Sequence, residues 1–224
     1  MMGRFHDRHD AGRRLARKLM DYAGRDDVSV LALPRGGVPV GYEIARALRA
    51  PLDVFVVRKL GVPGHPELAF GAIASGGIRV LNSDMVRAFG IAPALVEHVA
   101  GVERVELERR ERAYRDGWSG PGIAGRTVIL VDDGLATGAT MLAAVAALRQ
   151  RSAAAIVVAV PVASREACAT FRSEVDDCVC ATTPMPFHGV GAWYDDFSQT
   201  TDGEVRQCLA AARGAAPASS GGQR

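Results

Sequence analysis

Two adjacent carboxylates followed by small and hydroxyl-bearing residues offer the densest chemistry in this chain. They lie in Val128-Ile129-Leu130-Val131-Asp132-Asp133-Gly134-Leu135-Ala136-Thr137-Gly138-Ala139-Thr140. The apolar lead predicts a buried strand that delivers both acids to its exit, and the loop runs straight into a helical pattern. Glycine lets a backbone curl close to a ligand. Successive N–H groups and a helix N-terminus favour a phosphate, and Thr137 and Thr140 add hydroxyl donors. Ionised carboxylates accept from vicinal hydroxyls. The segment therefore predicts a cradle for a sugar phosphate. The plainer reading, in which Asp132 and Asp133 only start a loop and cap a helix, accounts for one acid but not for all thirteen residues.

Leu33-Pro34-Arg35-Gly36-Gly37 also closes an apolar run and opens a helical pattern. Alone it is a tight turn; paired with the acid-and-glycine loop it is a second candidate anion site. A third constellation is Val56-Val57-Arg58-Lys59-Leu60. Only Lys18 and Lys59 stand among 27 basic residues, which singles out Lys59 at an expected strand exit. Arg58 is the weaker candidate, since an arginine there also serves solubility. Without any lysine after position 59, a Walker A motif and a late Schiff-base lysine are excluded. Gly36 to Gly41 does not fit G-x-G-x-x-G, and a receiver domain needs the late lysine that this chain lacks.

The Val128–Thr140 segment resembles the phosphoribosyl pyrophosphate motif of type I phosphoribosyltransferases: four apolar residues, two acids, and a Thr-Gly-x-Thr ending. The resemblance implies that Asp132 and Asp133 hold the ribose hydroxyls while Gly134, Leu135, Ala136, Thr137, Gly138, Ala139 and Thr140 hold the 5′-phosphate. It also implies that Arg35, Gly36 and Gly37 form the pyrophosphate loop, often with a cis peptide, and that Lys59, with Arg58, is a basic residue against pyrophosphate. The implied catalytic set is Asp132, Asp133 and Lys59, with Mg²⁺ as cofactor and no metal ligand directly assigned. The implied partners are phosphoribosyl pyrophosphate and a small-molecule acceptor, with a homodimer as a candidate assembly. The match is strong over residues 28 to 60 and 126 to 163 and looser elsewhere. As a whole the chain is similar to stand-alone phosphoribosyltransferases of undefined acceptor. It departs from the adenine, orotate and hypoxanthine-guanine enzymes in the hood. The alternative within the same fold is a non-catalytic regulator that senses phosphoribosyl pyrophosphate.

These residues need a parallel sheet to position them. Apolar runs at Val28–Pro34, Leu52–Val57, Thr127–Asp133 and Ala154–Val160 alternate with helical patterns, as in βαβ units. The fold class expected is α/β, doubly wound and mainly parallel, with helices on both faces and a small hood or insert. Asp10 is a candidate cap for a first helix carrying Leu15, Leu19 and Tyr22. A further helix is expected from Arg165 to Phe171 and a strand from Cys178 to Ala181. The domain expected spans 1–213, with 61–126 as a mobile loop and helical insert, 184–213 as a C-terminal hood and 214–224 as a disordered tail. Within the insert, Gly61 to Ala69 is the expected mobile cover, with Glu67 a candidate for ligand or magnesium contacts. Short strands are expected at Phe70–Ala74 and Arg79–Leu81. A helix from Pro93 to about Arg115 carries Glu106–Arg110, Glu108–Arg112 and Glu111–Arg115 at (i, i+4) spacing, read as a solvated face. Pro184 to His188 and Trp193-Tyr194-Asp195-Asp196-Phe197 either stack on a planar acceptor or fasten the C-terminal segment. The aromatics lean slightly towards a purine-like acceptor. His65 and His188 are read as surface or structural residues.

At 224 residues, 48% hydrophobic and 23% charged, the chain can bury roughly 70% of its unfolded surface without disulfide or metal staples. The four cysteines, Cys168, Cys178, Cys180 and Cys208, form no C-x-x-C pair and read as reduced thiols in a cytoplasmic protein. A formal charge of +2 argues against a nucleic-acid partner, although Arg13, Arg14, Arg17 and Lys18 leave the regulator reading open. No run of 18 apolar residues suggests a membrane span.

Overall fold

The computed structural model describes residues 3–62 and 64–215, apart from the side chains of Pro66, Glu67 and Ala215. In chain order the elements are α1 (Arg8–Ala16), β1 (Val28–Ala32), α2 (Gly37–Leu48), β2 (Leu52–Val54), β3 (Val57–Val62), β4 (His65–Ala74), β5 (Ile78–Leu81), α3 (Ser83–Ala88), α4 (Pro93–Arg115), β6 (Thr127–Val131), α5 (Ala139–Gln150), β7 (Ala155–Val162), α6 (Arg165–Glu174), β8 (Asp177–Thr182) and α7 (Asp202–Ala215).

Five strands form a sheet in the order β2-β1-β6-β7-β8, every pair parallel. The near-continuous apolar runs have a direct cause: each residue of β1 and β6 is buried, because helices cover both faces. Successive side chains leave opposite faces. Val28, Val30, Ala32, Ile129 and Val131 join the core layer of α1, α2 and α7. Leu31, Val128 and Leu130 join the layer of α5 and α6. This is the doubly wound, mainly parallel architecture expected.

A second sheet, β3-β4-β5, is antiparallel and corrects two expectations. The run Leu52–Val57 is not one strand. β2 ends at Val54, the buried Phe55 and Val56 cross between sheets, and Ser75 holds the crossing by accepting from Val56 N–H at 2.8 Å. The expected loop at Gly61 to Ala69 instead contributes to both strands of a hairpin, with irregular register between Leu60 and Val62. Glycine there signals a bulge rather than the end of pairing. The contact expected of Glu67 falls outside the described side chains.

Asp7, not Asp10, caps α1: its extended backbone lets the carboxylate accept from Asp10 N–H. Asp10 accepts from His6 N–H and pairs with Arg14 at 2.7 Å. The helix stops at Ala16, and Met20–Tyr22 form a separate 3₁₀ turn. On α4, Glu106–Arg110 and Glu111–Arg115 pair as spaced, but the face is not wholly solvated. Arg115 also binds the buried Asp53 at 2.9 Å, tying α4 to β2. Of the expected tail, Gly214 and Ala215 belong to α7, and 216–224 lie outside the described residues. No described helix is long and apolar enough to cross a membrane.

Candidate functional site

The site begins with the pairing of β1 and β6. Ala32 lies opposite Val131, and Leu33 N–H donates to Val131 O at 2.9 Å. The next residues of both strands therefore emerge side by side at the carboxyl edge, where open α/β sheets bind ligands. The Pro34–Arg35 peptide is cis. A side chain at Gly36 would overlap Asp133 Oδ2, and a Cβ at Gly37 would stand 2.7 Å from Val131 O and 2.9 Å from Asp132 Cα. Only glycine lets the two turns approach this closely.

The acids are held differently. Asp132 Oδ1 accepts from Asp133 N–H at 2.8 Å, whereas Asp133 Oδ2 accepts from Arg8 Nε at 2.8 Å. Burial, reinforced by the neighbouring Asp133 charge, lifts Asp132 well above the usual carboxylate range. Burial also raises Asp133, while Arg8 pulls it back. The pair thus resists carrying two charges unless donors or a cation join it. Arg8 in turn donates to Ser198 O at 2.7 Å and lies 4.0 Å over the Phe197 ring. Tyr194 donates its hydroxyl to Asp133 O at 2.6 Å.

Beyond the acids, Leu135 anchors the loop. Its N–H donates to Val162 O, and its carbonyl accepts from Ser164 N–H. Gly138 caps α5 in the left-handed region at φ 74°, with the Phe171 ring so close beneath it that a Cβ would collide. Between these fixed points Ala136 and Thr137 are exposed. The loop bounds a cavity of about 180 Å³ lined by Asp132, Gly134 to Met141 and Val190.

Across Asp133 lies a second, larger cavity of about 340 Å³, lined by Arg8, Pro34, Arg35, Gly36, Arg110, Asp133, Gln199 and Thr200. Three guanidinium groups converge there. Sequence reasoning singled out Arg35 but missed Arg8 and Arg110. Arg8 sits 125 positions from its partner Asp133, and no local pattern reports such a contact. Arg110 shows in the sequence only as half of a helical ion pair with Glu106.

The fold therefore gathers Arg35, Gly36, Gly37, Asp132, Asp133 and Gly134 to Thr140. It does not bring Arg58 to them: adjacent strand residues face opposite ways, and Arg58 pairs with Glu103 of α4 at 2.7 Å. Lys59 is exposed and lines a separate cavity of about 700 Å³ between the antiparallel sheet and α5, bordering the Gly134–Thr140 loop at Ala139. The 193–197 segment makes fastening contacts: Phe5 N–H donates to Trp193 O, and the Tyr194 and Phe5 rings pack tilted at 42° with centroids 5.4 Å apart. The basic residues of α1 are partly engaged as well, Arg13 with Glu43 and Arg14 with Asp10.

A parallel sheet, an acid pair at its switch point and two glycine turns define the class, and comparison with known proteins agrees. The chain belongs to the phosphoribosyl transferase domain family, whose model matches residues 3–195. It is 49% identical over 201 residues to provisionally named phosphoribosyl transferases from two strains of Mycobacterium tuberculosis, CDC 1551 / Oshkosh and H37Rv. The alignment covers 90% of this chain and 45% of each relative, so the chain spans about half the length of those proteins. Among solved structures it is similar to TT1426 from Thermus thermophilus, with a TM-score of 0.81, 43% identity, and coverage of 92% of this chain and 97% of that one.

Proposed function

We propose that this protein displaces pyrophosphate from phosphoribosyl pyrophosphate with a nitrogen nucleophile, in a Mg²⁺-dependent reaction. The observation that carries this reading is the contact between the Arg35–Gly37 turn and Asp132–Asp133, with an anion-sized cavity on either side of the acids. A pentose over the acids would place its 5′-phosphate towards Thr137–Thr140 and its pyrophosphate towards Arg35.

Breaking the anomeric bond builds positive charge on the ribose ring and negative charge on the leaving group. Asp132 and Asp133 would accept the ribose hydroxyls and favour the ring cation. Preorganised groups of this kind act without reorganising during the reaction. Arg35, Arg8 and Arg110 face the side on which the leaving group gathers charge. Lys59 would approach from the hairpin side, next to Ala139. The hard oxygens of Asp132 and Asp133 suit Mg²⁺, and their reluctance to ionise together fits a site completed by a cation. When bound, Mg²⁺ supplies charge neutralisation for the leaving pyrophosphate. The acceptor is proposed as a planar, purine-like base, for which the exposed ring of Phe197 would offer a stacking face.

The test is magnesium-dependent pyrophosphate release from phosphoribosyl pyrophosphate against a panel of bases and amines, paired with a thermal shift by phosphoribosyl pyrophosphate alone. A ligand at 100 times its dissociation constant adds roughly 2.7 kcal/mol to apparent stability. Turnover with a base supports the proposal. A thermal shift without turnover on any acceptor supports a sensing role instead, and no shift at all overturns both.

A further inference from the structure

Away from the acid pair, three thiols converge on one spot. Cys178 and Cys180 stand two apart on β8, so both leave the same face of the strand. Cys168 meets them from α6, the helix packed over that face. Cys180 Sγ lies 2.8 Å from Cys168 Sγ and 3.9 Å from Cys178 Sγ, and all three sulfurs fall within 4.8 Å of one another. Cys168 and Cys178 are buried and Cys180 is partly exposed. β8 is an edge strand.

Two chemistries suit such a cluster, and they demand opposite motions. A tetrahedral metal–thiolate centre, with bonds of about 2.3 Å, holds its sulfurs roughly 3.8 Å apart, so the closest pair would have to open. Such a centre would also place thiolate charge against the apolar residues of this core layer, including Phe171, Ala167 and Val175. Of the neighbouring charges, Arg172 is favourable and Asp177 unfavourable. Among the described residues no histidine or carboxylate completes the donor set. A disulfide needs about 2.05 Å between sulfurs, so the closest pair has only to close. Its product is neutral, and burial among apolar groups does not penalise it.

We propose that Cys168 and Cys180 are a reversible oxidation site that closes to a disulfide between α6 and β8 under a peroxide-class two-electron oxidant. Burial holds the Cys168 thiol, and hydrogen bonding with Cys178 the Cys180 thiol, above the usual thiol range, so one sulfur of the pair gives up its proton as it attacks a peroxide oxygen; the O–O bond breaks and hydroxide leaves, giving a sulfenic acid. The second sulfur attacks the first, the S–O bond breaks, and the second hydroxide departs. The two thiol protons convert both hydroxides to water, so two thiols and one peroxide give one disulfide and two waters. A small thiol reopens the bond: its thiolate attacks one sulfur of the bridge and releases the other, and a second thiol completes the exchange, returning both cysteines as thiols and leaving the reductant as a disulfide. The site is independent of the phosphoribosyltransferase reading.

The test uses the full chain, purified with reductant and chelator, exposed to hydrogen peroxide, alkylated and digested with trypsin. Cleavage after Arg172 separates Cys168 from the peptide that carries both Cys178 and Cys180. The expected result is a linked peptide pair that disappears with reductant and in Cys180→Ala, and persists in Cys178→Ala. A bond confined to Cys178 and Cys180, full alkylation of all three thiols after peroxide, or a soft metal retained in stoichiometric amount through chelation would each overturn the proposal. If a variant fails to fold, fragmentation of the wild-type linked pair decides: the alkylated thiol beside the bridge is expected at Cys178, and alkylation at Cys180 instead overturns the proposal.

Discussion

Arg8 Nε reaches Asp133 Oδ2 across 2.8 Å, joining the first helix to a carboxylate 125 positions away. The contact sets the ionisation of a proposed ribose ligand. Arg8 lowers the Asp133 pKa against burial, which raises it. Replacing Arg8 with alanine therefore lets that pKa rise. If the ionised carboxylate is the working form, the acid limb of the pH–rate profile moves to higher pH in Arg8→Ala. A limb that stays in place would show that Asp133 does not govern it.

Asp133→Asn keeps the size of the side chain and removes its charge. Loss of one preorganised group of this kind costs about 10²–10³ in rate. The variant is expected to fold, by circular dichroism, and to lose turnover by that factor in the pyrophosphate-release assay.

Asp132 should cost the fold stability at neutral pH. Its folded pKa lies above the unfolded value of about 3.9, so the folded state holds the proton more tightly. Stability from this group is present at low pH and is lost as pH rises from the unfolded pKa through the folded one. Asp132→Asn preserves an acceptor for Asp133 N–H and removes that loss. Its melting temperature should exceed wild type at pH 7 and converge with it near pH 3. For a domain of this size each kcal/mol corresponds to about 2–4 °C.

Alanine at the two turn glycines separates ligand binding from folding. At Gly37 the added carbon meets backbone, Val131 O and Asp132 Cα, and overpacking of this kind costs about 1–3 kcal/mol. At Gly36 it meets the Asp133 carboxylate, which can turn aside. Gly37→Ala should lower the urea midpoint, whereas Gly36→Ala should mainly weaken the thermal shift produced by phosphoribosyl pyrophosphate.

Phe171 is 1% exposed and forms the floor under Gly138. Phe171→Ala should cost about 3–5 kcal/mol and loosen the Gly134–Thr140 loop proposed to hold the 5′-phosphate, seen as a lower melting temperature together with a weaker shift by phosphoribosyl pyrophosphate.

Much of this site was legible because its parts are local. The apolar run ending at Val131 reads as a buried strand, and Gly134 to Thr140 carries its own chemistry in sequence. What escaped was long-range. Arg8 and Arg110 look like surface charges on amphipathic helices until the chain brings them over Asp133. The β3–β4 hairpin was hidden because Gly61, Pro63 and Gly64 signal a break, while antiparallel pairing depends on partners further along the chain. Asp7 and Asp10 both satisfy the local requirements of a helix start, and only backbone geometry chooses between them.

The pleat of β3 alone decides that Lys59 borders α5 while Arg58 reaches Glu103. A one-residue shift in strand register exchanges the two faces, and the irregular pairing at Gly61 is where such a shift would be absorbed. Inserting one residue just ahead of Arg58 would therefore carry Arg58 into the place of Lys59 and set a guanidinium where the ammonium stood, beside Ala139, without changing either residue.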